Sequence, residues 1–204
     1  MTLYHEGLDE IYHSRRGALT ESMHVFIGQG LKPAEKNLLS VLEVGFGTGL
    51  NVWLSLLHRR EDQELWYTAY ETHPLDASVW SQLNYGEGKL AASFEWIHQA
   101  EWGGFVDIAK DFHLRKLNAS INHMVEEHQY DLIYFDAFSP EKQADLWSVE
   151  IFLKMYVALK PGGRLVTYCS KSLVRRNMEA AGFKVFKRPG PPGKREMLEA
   201  IKTG

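Results

Sequence analysis

Residues 38–51 read LLSVLEVGFGTGLN, and this stretch gives the first indication of the fold. The apolar run at 38–44 is typical of a buried parallel strand, and helical spacing begins at Leu50. Gly45, Gly47 and Gly49 lie between the two. Glycine allows positive φ and close approach of a ligand to the backbone, while the first turn of a helix has unpaired N–H groups. The stretch therefore predicts a strand, a ligand-binding turn and a helix.

Strand and helix patterns alternate along the rest of the chain. Further strands are predicted at 65–70, 112–117, 131–135, 164–169, 183–187 and 197–201. This alternation predicts a Rossmann-like α/β fold, with a seven-stranded, mostly parallel sheet and helices on both faces. Ligands bind such sheets at the carboxyl ends of the strands, so the site is expected just after Val44, Tyr70, Leu117 and Phe135.

The chain is expected to form one main domain with a small addition. Residues 1–36 are predicted to be an N-terminal extension packed on a main domain at 37–204. Within the extension, segments near 11–13 and 23–27 are predicted to pair as a hairpin, with Gly17 near the turn. A helix is predicted from the end of strand 112–117 to about Glu127.

Composition narrows the classes of protein. No run of 18 apolar residues is present, and the N-terminus does not resemble a signal peptide, so we expect a cytoplasmic protein without a membrane partner. Cys169 is the single cysteine; an internal disulfide is excluded, and we expect a buried thiol. The histidines form no His-Glu-x-x-His pattern, so no metal site is predicted.

Charge is distributed unevenly. Residues 160–204 contain 11 Lys and Arg against 3 Asp and Glu, although the whole chain has a net charge of −3. Such asymmetry favours a surface that faces a polyanion, and a set of solvated helix and loop faces is the alternative.

The glycines follow a G-x-G-x-G spacing, which differs from the dinucleotide-binding G-x-G-x-x-G. With an acid two residues before the first glycine, this spacing resembles the first motif of class I methyltransferases. The resemblance implies that the motif binds the methionine part of S-adenosylmethionine through Glu43, Gly45, Phe46, Gly47, Thr48, Gly49 and Asn51. A tight strand–helix turn without a ligand is the alternative.

Two further strand ends are candidates for the nucleoside part. Glu71 follows strand 65–70, where a carboxylate can accept hydrogen bonds from both ribose hydroxyls. NAD-binding proteins share this acid, and a surface glutamate is the alternative. Asn118 and Ala119 occupy the next strand end, where class I methyltransferases often have an aspartate that binds adenine. We expect an adenine contact here despite this departure.

Residues 131–140 read DLIYFDAFSP, an apolar strand that brings a carboxylate and an aromatic ring to the predicted cleft. Asp136 is predicted to face the methyl donor and orient the acceptor amine, and Phe138 to stack on a base. A strand-end aspartate that caps the next turn is the alternative.

The chain resembles the methyltransferase domain of the MnmC family over nearly its full length. The similar residues are Asp9, Tyr12, Ser14, Gly17, Glu21, Val25, Phe26, 43–51, 136–140, 145–147, 161–163, 174–176, 181–183 and 194–198. The resemblance implies methyl transfer from S-adenosylmethionine to the amino group of 5-aminomethyluridine, or its 2-thio form, at the tRNA wobble position. Bifunctional members carry a flavin-dependent oxidase domain, whereas this chain resembles the stand-alone form, so no flavin is expected.

A tRNA substrate agrees with the basic C-terminal segment, which is expected to contact the phosphates of the anticodon stem-loop. The candidate residues are Lys171, Arg175, Arg176, Lys187, Arg188, Lys194 and Arg195. Trp147 and Tyr168 are further stacking candidates, although such residues more often belong to the core.

Three other functions remain open at this stage. An aminopropyltransferase shares the fold, but usually has a Gly-Gly-Gly-Asp-Gly loop that the sequence at 45–49 does not match. A non-catalytic RNA-binding relative and a methyltransferase of small molecules or proteins are the other two.

Overall fold

A computed structural model describes residues 3–5, 10–12, 15–83, 85 and 89–203, and places the side chains of 17–83, 85 and 91–203. Two residues of the N-terminal pattern, Asp9 and Ser14, lie outside this part, as does the side chain of Tyr12. The strands are β1 Leu3–His5, β2 Glu10–Tyr12, β3 Leu38–Val44, β4 Glu64–Glu71, β5 Phe105–Ala109, β6 Phe112–Asn118, β7 Tyr130–Phe135, β8 Leu159–Thr167, β9 Lys184–Pro189 and β10 Glu196–Ile201. The helices are α1 Arg15–Ser22, α2 Leu50–His58, α3 Ala77–Trp80, α4 Lys89–Gln99, α5 Val149–Ala158 and α6 Ser172–Ala180.

The main sheet has the strand order β5-β6-β4-β3-β7-β8-β10-β9. The five strands from β6 to β8 are parallel, whereas β5, β10 and β9 are antiparallel to their neighbours. The chain first proceeds from β3 to β4 and β6, then crosses to the other side of β3 to form β7. This reversal is the switch point at which α/β sheets bind ligands.

Helices cover both faces of the sheet, as predicted. Successive side chains of a strand point to opposite faces, so neighbouring residues pack in different clusters. Val41 and Leu132 pack in one buried cluster with Phe26, and their neighbours Leu42 and Ile133 pack in the opposite cluster, which includes residues of α5. The α/β class is therefore confirmed.

The predicted number of seven strands is wrong, because the described part of the main sheet has eight. The missed strand is β5, a five-residue edge strand that forms a hairpin with β6 through a turn at Asp111, whose φ is 59°. Most of its residues are at least partly exposed, so the strand lacks the continuous apolar run on which the prediction relied.

Two other local predictions are corrected. Residues 23–27 form no strand; they lie in a π-helical segment, Met23–Leu31, that continues α1. Residues 11 and 12 belong to β2, which pairs antiparallel with β1, and His13 lies outside the described residues. A short apolar run does not distinguish a strand from a buried helix, and Val25, Phe26 and Ile27 are fully buried. Beyond β6, the predicted helix is a single 3₁₀ turn, Ile121–His123; the backbone is extended at Met124, and Val125 is 85% exposed.

Candidate active site

The glycine turn, residues 45–49, joins β3 to α2 at the switch point of the sheet. Gly45, Gly47 and Gly49 have φ of 93°, 50° and 70°, a region that L-residues with side chains rarely adopt. A Cβ atom on Gly45 would lie 2.7 Å from the carbonyl oxygen of Asp136. Both the backbone conformation and this close approach therefore require glycine at position 45.

A cleft of about 300 Å³ opens beside the glycine turn, at the carboxyl ends of β3, β4 and β7. Its volume is in the range of small-molecule sites. Of the predicted cofactor residues, those that line the cleft are Gly45, Phe46, Gly47, Thr48, Asn51, Glu71, Ala119 and Asp136. Glu43 is buried and Gly49 is the N-terminal cap of α2, while Asn118 is exposed at the end of β6; none of these three lines the cleft.

The ribose-binding candidate has a fixed position. The Glu71 carboxylate accepts hydrogen bonds from the backbone N–H of Gly47 at 2.9 Å and from those of Thr72 and His73 at 2.8 Å each. These bonds join the glycine turn to the end of β4, so the predicted methionine and ribose sites are held together. Beyond β6, Ala119, Ser120 and Ile121 line the cleft, on the side where the adenine contact is predicted.

A buried amide joins two carboxyl groups beneath the cleft. The Asn51 Nδ2 donates to Glu43 Oε1 at 2.9 Å and to Asp136 Oδ2 at 2.8 Å. Burial raises the pKa of Glu43 well above its ordinary value, the hydrogen bond from Asn51 lowers it, and the negative charge of Asp136 raises it further. Glu43 is therefore a neutral acid over a pH range in which an exposed glutamate is ionised.

Glu43→Gln should flatten the pH dependence of stability. Because the folded-state pKa of Glu43 is raised, its contribution is fully present below the ordinary pKa of 4.5 and is lost as pH rises toward the raised value. Glutamine mimics the neutral acid and cannot ionise. Calorimetric Tm values measured from about pH 4.5 to 8 should therefore fall more in the parent than in the variant. Parallel Tm curves would show that Glu43 has an ordinary pKa.

The loop after β7, residues 136–139 (the Asp136 loop), is held by hydrogen bonds to its backbone. Asp136 N donates to Val44 O at 3.0 Å, and the Tyr168 hydroxyl donates to Ala137 O at 2.9 Å. The Trp147 Nε1 donates to Phe138 O at 2.8 Å. Trp147 is 2% exposed, so it supports the loop from the core and is not available to stack on a base. Tyr168 and Phe138 both line the cleft.

The basic C-terminal residues are less available than their number suggests. Five of the predicted RNA contacts form ion pairs: Lys171 with Glu141, Arg175 with Glu179, Lys187 with Glu196, Arg188 with Glu199, and Lys194 with Glu21. Two of these acids, Glu21 and Glu141, come from outside residues 160–204. Arg176 and Arg195 are exposed and form no ion pair within the described part of the chain. Lys194 also lies 4.5 Å above the Tyr168 ring and lines the cleft.

Two residues that support the site, Lys116 and His98, were not predicted from the sequence. Lys116 is 1% exposed, burial lowers its pKa to about 8, and its ammonium donates to the carbonyls of Ile97 and His98 at the end of α4. The His98 ring contacts Thr48 O at 3.1 Å in the glycine turn, and burial lowers its pKa to about 4. These contacts join residues up to 50 positions apart, so no local pattern indicates them.

One buried polar atom beside the cleft fits the chemistry of S-adenosylmethionine. Asn51 Oδ1 is buried without a hydrogen-bond partner, and the donor's methionine ammonium is a group that such an acceptor can bind. Within the described residues, no cluster of three His, Cys, Asp or Glu is arranged to bind a metal ion. Among the described helices, none has the length and apolar character needed to cross a membrane.

Comparison with known proteins identifies the family. The sequence model of an S-adenosyl-L-methionine-dependent methyltransferase family matches residues 96–203, more than half of the chain. The chain belongs to this family. The methyltransferase is also 31% identical, over 94% of its length, to the tRNA 5-methylaminomethyl-2-thiouridine biosynthesis bifunctional protein MnmC of Ralstonia nicotianae. It spans 32% of that protein, and about a third of the other curated relatives it matches.

Solved structures agree with the fold of the methyltransferase. The crystal structure of MnmC2 from Aquifex aeolicus matches with a TM-score of 0.80 and 27% identity, over 98% of this chain and 66% of that one. The spermidine synthase of Thermotoga maritima matches with a TM-score of 0.60 and 16% identity, over 91% of this chain and 60% of that one, which is a likeness of fold alone. The predictions of fold, family and methyl donor are confirmed, and the roles of individual residues stay predictions.

Proposed function

We propose that the methyltransferase transfers a methyl group from S-adenosylmethionine to the amino group of 5-aminomethyluridine, or its 2-thio form, at the wobble position of tRNA. The main support is the position of Asp136. Its carboxylate lies in a cleft beside the glycine turn, on a loop whose backbone is held by three hydrogen bonds. The substrate class comes from the relative in Ralstonia nicotianae, whose name assigns it to the biosynthesis of 5-methylaminomethyl-2-thiouridine in tRNA.

The chemistry requires a neutral amine. S-adenosylmethionine supplies a methyl group bound to positively charged sulfur, and the amine displaces the sulfur and then releases a proton. An ordinary aspartate is a weak base at neutral pH. Asp136 therefore acts by accepting a hydrogen bond from the amine, which orients it, and by stabilising the positive charge that develops on nitrogen. Water takes the proton. Because the transfer is not a redox reaction, it needs no flavin.

The cleft has aromatic side chains on which a nucleobase can stack. Phe138 and Tyr168 line it and are only partly buried, so a flipped uridine can stack there while its 5-substituent reaches Asp136. Lys194 lies above the Tyr168 ring, where its ammonium can meet a phosphate of the anticodon loop once Glu21 releases it. With tRNA as substrate, we also propose that the enzyme works in the cytoplasm.

Arg176→Ala and Arg195→Ala should each weaken tRNA binding severalfold. Both are exposed and form no ion pair in the described part of the chain, so their charge is free to replace counterions on RNA. Each substitution should lower the slope of log Kd against log salt by about 0.7–0.9. Filter binding across a salt series measures this. Lys110→Ala, whose side chain is 92% exposed at the β5–β6 turn, is the control. Unchanged slopes in both arginine variants would place the RNA elsewhere.

The direct test of function is methyl incorporation into tRNA from cells blocked at the aminomethyl stage, followed by mass analysis of the nucleosides. We expect the label in the wobble uridine. Label on another nucleoside, or none while a protein or small amine is methylated, would contradict the proposed substrate. Calorimetry with S-adenosylmethionine and its decarboxylated form separates the proposal from an aminopropyltransferase, which would bind the decarboxylated form more tightly.

A further inference from the structure

The buried amide of Asn51 has an arrangement that follows from counting hydrogen bonds. A primary amide carries two N–H groups, and here one reaches Glu43 Oε1 and the other Asp136 Oδ2. Asn51 is 3% exposed and lies in the first turn of α2, so its backbone is fixed. If the amide were turned over, its oxygen would face the Asp136 carboxylate, which has no proton to donate. The orientation is therefore set by Asp136, and Glu43 accepts the second N–H.

The two carboxyl groups hold different positions. Glu43 is fully buried in β3 and does not line the cleft, whereas Asp136 lines it at the end of β7. Asn51 joins the cleft-lining carboxylate to the immobile one. A neutral Glu43 can accept from Asn51 without repelling Asp136, so the amide can serve both groups at once.

We propose that Asn51 is a positioning residue that fixes the Asp136 carboxylate in the orientation that receives the acceptor amine, with Glu43 as its anchor. The inference rests on the role proposed above for Asp136. Asn51 Nδ2 donates a hydrogen bond to Asp136 Oδ2. This bond limits rotation of the carboxylate and determines which of its oxygens is turned toward the substrate. A displacement of about 1 Å at such a group can reduce rates about 100-fold.

A double-mutant cycle on turnover tests whether Asn51 acts through Asp136. At saturating S-adenosylmethionine, where a contact of Asn51 with the cofactor does not limit the rate, Asn51→Ala should lower single-turnover methyl transfer by about 10- to 100-fold. In an Asp136→Asn background, the same substitution should have almost no further effect, because the group it positions has lost its function. If Asn51→Ala lowered both backgrounds by the same factor, Asn51 would act independently and the inference would be overturned. Asn37→Ala, an exposed asparagine before β3, is the matched control.

Variants of the anchor give a second readout. Glu43→Gln keeps an acceptor for Asn51, whereas Glu43→Leu leaves one Asn51 N–H without a partner. Glu43→Gln should therefore retain much of the rate that Glu43→Leu loses, and equal losses would contradict the anchoring role. Glu43→Leu can also lower Tm through loss of packing. The rates of all variants are therefore compared at a temperature at which each variant is folded.

A crystallographic test needs no substrate, so its result is independent of whether the proposed function is correct. In a crystal structure of Asn51→Ala, the Asp136 carboxylate should leave the position that it has in the parent. An unmoved carboxylate would overturn the inference even if tRNA is methylated. Conversely, a parent enzyme that does not methylate tRNA overturns the proposed substrate, while the crystal structures still decide whether Asn51 fixes Asp136.

Discussion

Asp136→Asn should reduce turnover by about 100- to 1000-fold and leave the affinity for S-adenosylmethionine nearly unchanged. In the variant, Asn51 still needs an acceptor at position 136, so the new amide oxygen faces Asn51 and its NH2 group faces the cleft. An NH2 group cannot accept a hydrogen bond from the amine and does not stabilise a developing positive charge. The loss therefore falls on the chemical step.

Single-turnover rates and calorimetric cofactor binding measure the two parts of this prediction separately. Asp62→Asn is the control, because Asp62 is exposed on the turn before β4 and pairs only with Arg60 among the described residues. Full turnover in Asp136→Asn would contradict the proposed role of the carboxylate. A parallel loss of cofactor affinity would instead mean that Asp136 binds the methyl donor and does not act in the methyl transfer.

Gly45→Ala should abolish measurable cofactor binding and destabilise the fold. Alanine at a φ of 93° costs about 1–2 kcal/mol. Its Cβ would also lie 2.7 Å from Asp136 O, so the glycine turn and the Asp136 loop must separate, at a further cost of about 1–3 kcal/mol. This separation would open the cleft where the methionine part of the donor is expected to bind.

Gly103→Ala is a matched control for this second prediction. Gly103 has a φ of 106°, and a Cβ there would meet nothing within 4 Å, so the control carries the backbone strain without the steric contact. Urea unfolding should show a larger loss of stability for Gly45→Ala than for Gly103→Ala, and calorimetry should show a loss of cofactor binding only for the former. Equal destabilisation with intact binding would mean that the contact with Asp136 is not important.

The sequence was most informative where one element carries the signal by itself. The apolar run of β3 and the glycines that follow it are neighbours in the chain, so their conformation and position could be predicted. Glu71 and Asp136 were expected at the cleft because Glu71 lies at the end of β4 and Asp136 directly follows β7, and parallel strands end at the same edge of a sheet. In contrast, β5 is an exposed edge strand, and residues 23–27 form an apolar run that fits either a strand or a helix.

The support of the site could not be predicted, because it depends on contacts between distant segments. Trp147 is buried and its Nε1 holds the Asp136 loop, so it cannot stack on a base, whereas Tyr168 both holds the loop through its hydroxyl and lines the cleft. Similarly, a count of lysines and arginines does not reveal that Glu21 and Glu141 neutralise part of the basic segment. A sequence gives the residues at the strand ends, whereas tertiary packing determines which of their atoms remain available.

The antiparallel direction of β10 has a practical consequence for attaching a second protein. Lys194, just before β10, lies at the cleft, and β10 then runs beside β8 in the opposite direction to Ile201. Six residues of strand span roughly 20 Å, so position 203 lies near the opposite ends of the strands from the cleft. A purification tag or fluorescent fusion placed there would leave the cleft unobstructed.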